Sequence, residues 1–206
     1  MSDERRALIL ASTSPYRKAL LQRLHLPFIQ VAPDFAEQTV AADSIEALVE
    51  HNTVGKAQSV LEQYPDASVI ASDQIALFEG EAVGKPGTAR HAMAQLARFS
   101  GRAVDFLTGL ALCSASGQQF DIVTTRVHFR QLSEQEIADY VRIEQPLDCA
   151  GSFKSESLGI ALFSRIESND PTALIGLPLI RLSEWLKPLH NNDVCLLCLA
   201  GPINPI

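Results

Sequence analysis

The chain has 206 residues, 47% of them hydrophobic, 20% charged and 6% aromatic, which suits one compact domain (1–206) with a substantial, mainly aliphatic core. A formal net charge of -7 argues against a general nucleic-acid binder, because such proteins carry a basic surface. No apolar run reaches membrane-spanning length, and the apolar stretch after the charged start Met1-Ser2-Asp3-Glu4-Arg5-Arg6 is too short for a signal peptide, so a cytoplasmic chain is expected. Four scattered cysteines make no disulfide framework, and Cys195-Leu-Leu-Cys198 has no second pair or histidine motif to complete a metal site.

In chain order, residues 8–11 read as a short buried strand, followed by the hydroxyl-rich turn Ser12-Thr13-Ser14 and a helix opened by Pro15. Ser14 suits the N-cap and Pro15 the first helical position. Leu20, Leu21 and Leu24 mark one face of that helix, which stops before Pro27. Arg17 and Lys18 stand in its first turn, where the positive helix end favours acidic residues. Two cations there fit a phosphate held between them; a surface helix with incidental basic residues is the other reading.

Residues 28–32 predict a second strand and 33–38 a loop carrying Glu37. Asp43, with Glu46 three residues on, predicts a capping box for a helix reaching about Tyr64. At about 100° per residue, Ile45, Val49, Asn52, Lys56 and Val60 share one face. Lys56 thus points inward, either to meet an anion or to snorkel at the edge of the apolar stripe. Gly55 weakens that helix by about 1 kcal/mol relative to Ala, and the segment His51–Gly55 is unusual for it.

Residues 69–72 predict a strand ending at Asp73-Gln74, a usual place for a working carboxylate in an α/β protein. Residues 75–78 and 82–83 read as a hairpin closed by Gly84-Lys85-Pro86, which is not a Walker A loop. Thr88 caps a helix with Ala92, Leu96 and Phe99 inward. Residues 103–115 and 119–130 form a long antiparallel pair, and Ser133 with Glu136 opens a helix through Val141. A small-residue loop, 149–156, precedes a strand at 160–166, a turn at Asp170-Pro171 and a last helix through Trp185. The tail, 188–206, is expected to be the least ordered part.

Strands alternating with helices, followed by a long hairpin, predict an α/β fold with a mixed, twisted central sheet and helices on both faces. Arg17 with Lys18, Lys56 and Lys85 could converge on a polyanion, and Glu37 and Asp73 could hold a divalent metal or position water. Together these point to metal-assisted phosphoryl chemistry on a nucleotide-like substrate.

Several ordered motifs then carry a resemblance. They are Leu10-Ala11-Ser12-Thr13-Ser14-Pro15-Tyr16-Arg17, Lys56-Ala57, Ser72-Asp73-Gln74, Gly84-Lys85-Pro86, Ala150–Glu156 and Ile175-Gly176-Leu177-Pro178. Over residues 7–186 the chain resembles the Maf family of nucleoside triphosphate pyrophosphatases, and within it the branch associated with 7-methyl-GTP. The resemblance implies a Maf/ITPase-like fold with a cleft between two lobes. It implies hydrolysis between the α and β phosphates, a divalent cation (magnesium or manganese) and a nucleoside triphosphate substrate, with a homodimer compatible by family.

By the same resemblance, Asp73 is the proton acceptor, and Glu37 assists around the metal with Asp73. Ser12, Arg17, Lys56 and Lys85 hold the triphosphate. Tyr16, Gln74 and Glu156 fall on positions linked to base choice. Tyr16 could stack on a cationic methylated base for roughly 0.5–2 kcal/mol. Glu156 could accept hydrogen bonds from that base, or could instead pair with Lys154. Tyr16 stands where Trp is frequent in that branch, and Ser157 where Gly is usual. Two alternatives are a pyrophosphatase preferring dTTP, UTP or CTP, and a nucleotide-sensing regulator of septum formation.

Overall fold

The alternation of side chains along each strand decides which helix covers which face. The structure, a computed structural model, describes residues 7–39 and 44–187. β1 (Leu8–Ala11) buries Ile9, Leu10 and Ala11 completely, the continuous apolar run of a strand covered on both faces. It runs parallel to β2 (Ile29–Val31) and to β3 (Ser68–Phe78). The remaining pairings are antiparallel: β3 with β4 (Glu81–Val83) and β5 (Ala103–Ser114), β5 with β6 (Gly117–Phe129), and β6 with β7 (Phe163–Glu167). The sheet order is β2-β1-β3-β5-β6-β7, with β4 against β3.

On one face, Leu10, Ile70, Leu110 and Leu112 pack against Leu20 and Leu21 of α1 (Pro15–Gln22) and Leu182 and Leu186 of α5 (Leu179–Leu186). Further along that face, Ala76, Phe78, Val104, Phe106 and Phe129 pack beneath α3 (Ala89–Phe99) and α4 (Glu134–Glu144). The opposite face, Ile9, Ala11, Val69, Ala71, Ala111 and Cys113, is covered by Ala57 and Val60 of α2 (Ile45–Leu61). A mixed sheet with helices on both faces, as expected, thus carries two separate cores on one side. The second core is not purely aliphatic: Phe78, Phe99, Phe106, Phe129, Phe153 and Phe163 interlock in tilted and edge-to-face contacts.

Between the two cores the sheet has a notch. The register of β1 on β3 ends at Leu10–Ile70, and that of β4 begins at Val83–Ala76. Ala71, Ser72, Asp73, Gln74 and Ile75 therefore have a strand partner on the β5 side alone. Gly109 of β5 lets α2 lie close over this region. A Cβ there would stand 2.3 Å from Thr53 Oγ1 and 2.7 Å from Val49 Cγ1.

Several boundaries differ from the sequence reading. β3 does not end at Asp73 but runs through it to Phe78, because the antiparallel ladder with β5 continues beyond the point where β1 stops. The cap of α2 is Ser44, whose hydroxyl accepts from Ala47 N at 3.1 Å; Asp43 lies outside the described residues. The strand expected at 160–166 is a 3-10 turn, Leu158–Leu162, then β7: Leu162 folds into the core and Gly159 packs on the Lys154 backbone. Residues 188–206, with Cys195 and Cys198, lie outside the described residues.

The Gly109 contact predicts that Gly109→Ala destabilises the protein by about 1–3 kcal/mol, because Thr53 and Val49 must move off the sheet. Urea unfolding should show a lower midpoint with an unchanged slope.

Candidate active site

α2 carries Lys56 into the interior, where the ammonium meets an anion on each side. Its Nζ lies 2.6 Å from Glu37 Oε1 and 2.6 Å from Asp73 Oδ1. The Lys56 and Asp73 side chains are 6% and 10% exposed, that of Glu37 51%. A charge so buried is tolerable only when paired, and the alternation of β3 supplies Asp73 on the face that α2 covers. Asn52 stands one helical turn before Lys56. Its Oδ1 accepts from Gln38 N at 2.9 Å, and its Nδ2 donates to Gln38 O at 3.0 Å and, at 3.4 Å, to Asp73 Oδ2. Gly55 is explained by the same loop: a Cβ there would sit 2.2 Å from Phe35 Cε2, and that ring also lies 5.6 Å from the ring of His51.

The turn after β1 is built as its hydroxyls suggest. Ser12 is buried and its Oγ accepts from Ser14 N; Ser14 caps α1 by accepting from Arg17 N. The Arg17 Nε donates to Gly176 O at 2.9 Å, while its terminal nitrogens have no partner among the described residues. Burial lowers the Arg17 pKa, with Asp73 and Glu37 pulling the other way; a guanidinium keeps its charge regardless. Lys18, by contrast, is exposed and stands away from the cleft, so only one cation of that helix start faces it.

Gln74 points to the other side of β3 from Asp73. Its Nε2 donates to Thr108 Oγ1, Ala173 O and Leu174 O, which fixes the 3-10 turn Ala173–Ile175 before Gly176. The remaining atom it can offer a ligand is its carbonyl oxygen.

Lys85 is exposed and has no ion-pair partner among the described residues. Gln95 of α3 donates to Gly84 O at 3.0 Å and accepts from Ser152 Oγ, so one carboxamide ties the Lys85 turn to the loop holding Glu156. That loop turns at Gly151 and Ser152, both with positive φ. Lys154 does not pair with Glu156. Its Nζ donates to Glu144 O at 2.8 Å, and its backbone N donates to the Tyr140 hydroxyl. Glu156 is exposed, facing the same opening as Tyr16, whose pKa burial raises.

These parts surround a cleft of about 750 Å³ at the notch in the sheet. Ser12, Tyr16, Arg17, Glu37, Lys56, Asp73, Gln74, Lys85 and Glu156 all line it. The notch explains how neighbours on opposite faces of one strand, Asp73 and Gln74, reach the same space. Sequence reasoning missed the supporting carboxamides, Asn52 and Gln95. Asn52 did leave a signal, a polar residue four before an inward lysine on the same face.

Among the described residues there is no group of three or more His, Cys, Asp or Glu side chains that could hold a metal ion alone. Glu37 and Asp73 do fit one that also binds a substrate: magnesium commonly takes one or two carboxylates and completes its oxygen shell with phosphates and water. Among the described residues, no helix is long and apolar enough to cross a membrane.

Comparison with known proteins agrees with the sequence motifs. The family described as Maf-like protein matches residues 7–189. A 7-methyl-GTP pyrophosphatase of Alkalilimnicola ehrlichii is 52% identical over 185 residues, 89% of this chain and 93% of that protein. Proteins of the same name from Hydrogenovibrio crunogenus and Pseudomonas aeruginosa are 50% and 49% identical, each over 87% of this chain and over 91% and 94% of their own lengths.

Cys149 lines the cleft, yet burial pushes its thiol up to about 12, with Asp148 adding to the rise. The reactive thiolate is then about one part in ten thousand at pH 8. Alkylation by iodoacetamide at pH 8, followed by peptide mapping, should label Cys149 far more slowly than glutathione.

Proposed function

The chain belongs to the Maf family, and from that membership we propose that it is a nucleoside triphosphate pyrophosphatase that hydrolyses 7-methyl-GTP to 7-methyl-GMP and pyrophosphate. The observation that carries the reading is the pairing at the floor of the cleft. Asp73 is held between Lys56 and Asn52, with Arg17 and Lys85 lining the same space.

Cleavage between the α and β phosphates needs their charge offset before water can approach. Arg17, through its unpartnered terminal nitrogens, and Lys85 bind the triphosphate; Lys56 gains strength as negative charge moves toward the departing pyrophosphate. The backbone turn at Ser12 and the start of α1 add a phosphate cradle. Asp73 orients the attacking water and accepts its proton as the phosphorus–oxygen bond to pyrophosphate breaks. Glu37 and Asp73 would hold a divalent cation, magnesium or manganese, which when bound supplies further charge neutralisation at the phosphates.

At the mouth of the cleft, Tyr16 offers a ring to stack on the base and Glu156 a carboxylate unpaired with Lys154. A 7-methylguanine carries positive charge, so both features favour it over an uncharged base. Gln74 contributes through its carbonyl oxygen. The free thiols of Cys113 and Cys149 support a cytoplasmic setting for the reaction.

Pyrophosphate release should be measured from 7-methyl-GTP, GTP, dTTP, UTP and CTP with magnesium or manganese. Turnover should be fastest on 7-methyl-GTP and fall by at least a hundredfold in Asp73→Asn, as loss of an acid–base group commonly costs. Preference for a pyrimidine triphosphate would overturn the base assignment and leave the hydrolytic one standing. Separately, Tyr16→Ala should lower the preference for 7-methyl-GTP over GTP by roughly 2- to 30-fold, the range a cation–π contact spans.

A further inference from the structure

We infer that Asn52 is a positioning residue for Glu37: its carboxamide fixes the backbone of the 33–39 loop so that the Glu37 carboxylate is delivered opposite Asp73 across the Lys56 ammonium. The inference rests on the pyrophosphatase reading of this cleft and adds to it a residue that acts through Glu37.

Glu37 is half-exposed and lies in a segment without regular structure, so nothing in its own element fixes it. A glutamate there would sample many positions, and holding it in one carries a side-chain entropy cost. Among the described residues, the hydrogen bonds that tie the backbone of residues 33–39 to the rest of the molecule are the two that Asn52 makes. It accepts from Gln38 N at 2.9 Å and donates to Gln38 O at 3.0 Å. This two-way pairing copies a strand neighbour, and it is made by a side chain only 2% exposed. The same Nδ2 reaches Asp73 Oδ2 at 3.4 Å, so a single group references both carboxylates to one frame. A second anchor lies one turn on, where the Phe35 ring rests on Gly55. The unusual His51–Gly55 segment is, on this account, a docking strip for the Glu37 loop.

The test is a double-mutant cycle on pyrophosphate release from 7-methyl-GTP, comparing wild type, Asn52→Ala, Glu37→Gln and the double variant. Asn52→Ala should lower kcat/KM by about ten- to a hundredfold, the scale of a misplaced group. In the Glu37→Gln background the same change should cost at least several-fold less, the remainder being its contact with Asp73. An equal loss in both backgrounds would mean a merely structural role and would overturn the assignment. Phe35→Ala releases the same loop from its other anchor without touching Asp73, and should show the same dependence on Glu37 if Asn52→Ala does not fold. Hydrogen exchange over residues 36–39 reads the loop itself: it should quicken in Asn52→Ala, and unchanged exchange overturns the inference whatever the activity. Absence of pyrophosphate release in the wild type would instead sink the enzymatic reading, with the exchange measurement still deciding the role of Asn52.

Discussion

An ammonium group carried into a protein interior must be met by negative charge, and much of this molecule is arranged around that demand at Lys56. Its two carboxylate partners come from parts of the chain that share no element, one from the middle of a strand and one from a loop. The helix that delivers the lysine can lie close to the sheet only because Gly109 has no side chain. The Glu37 loop can close over that helix only because Gly55 has none. Breaking a buried ion pair by removing one partner typically costs 3–5 kcal/mol, so the cluster constrains folding as well as chemistry.

Around that centre, neutral carboxamides do what charges would do poorly. Asn52 holds the Glu37 loop, Gln74 holds the 173–175 turn, and Gln95 joins the Lys85 turn to the loop of Glu156. Each offers a donor and an acceptor at fixed separation, so it can satisfy backbone groups of either kind without adding a field to the cleft. The terminal nitrogens of Arg17 and the ammonium of Lys85 are thereby left for a ligand. Arg17 shows the same economy: one nitrogen anchors to Gly176 O while the rest of the fork stays open.

Much of this was legible in the sequence, and the reasons differ by residue. Ser14-Pro15 declared the start of α1, and the strand alternation gave the class of fold. The nine site residues proposed from motifs all reached one cleft. Local signals failed where long-range pairing governs. Asp73 looked like a strand end because a polar pair follows an apolar run, but the ladder with β5 carries the strand past it. The strand expected at 160–166 begins late, because residues 160–162 belong to a 3-10 turn bent by the packing of Gly159 on Lys154. The pair of Lys154 with Glu156, the alternative to a base contact for that carboxylate, does not form, because a helix C-terminus takes the lysine. Lys18 is next to Arg17 in sequence, yet about 100° of helical rotation separates their directions.

The notch beside residues 71–75 has a consequence for solubility. An interrupted ladder leaves strand edge unpaired, and such edges invite other chains to add a strand. Here the open edge is five residues long, 71–75, with β1 ending on one side and β4 beginning on the other. A foreign strand has too little length to pair and would have to enter past Arg17, Lys56 and Lys85. The molecule can therefore keep a bare strand edge at its centre, open to a nucleotide but closed to another polypeptide.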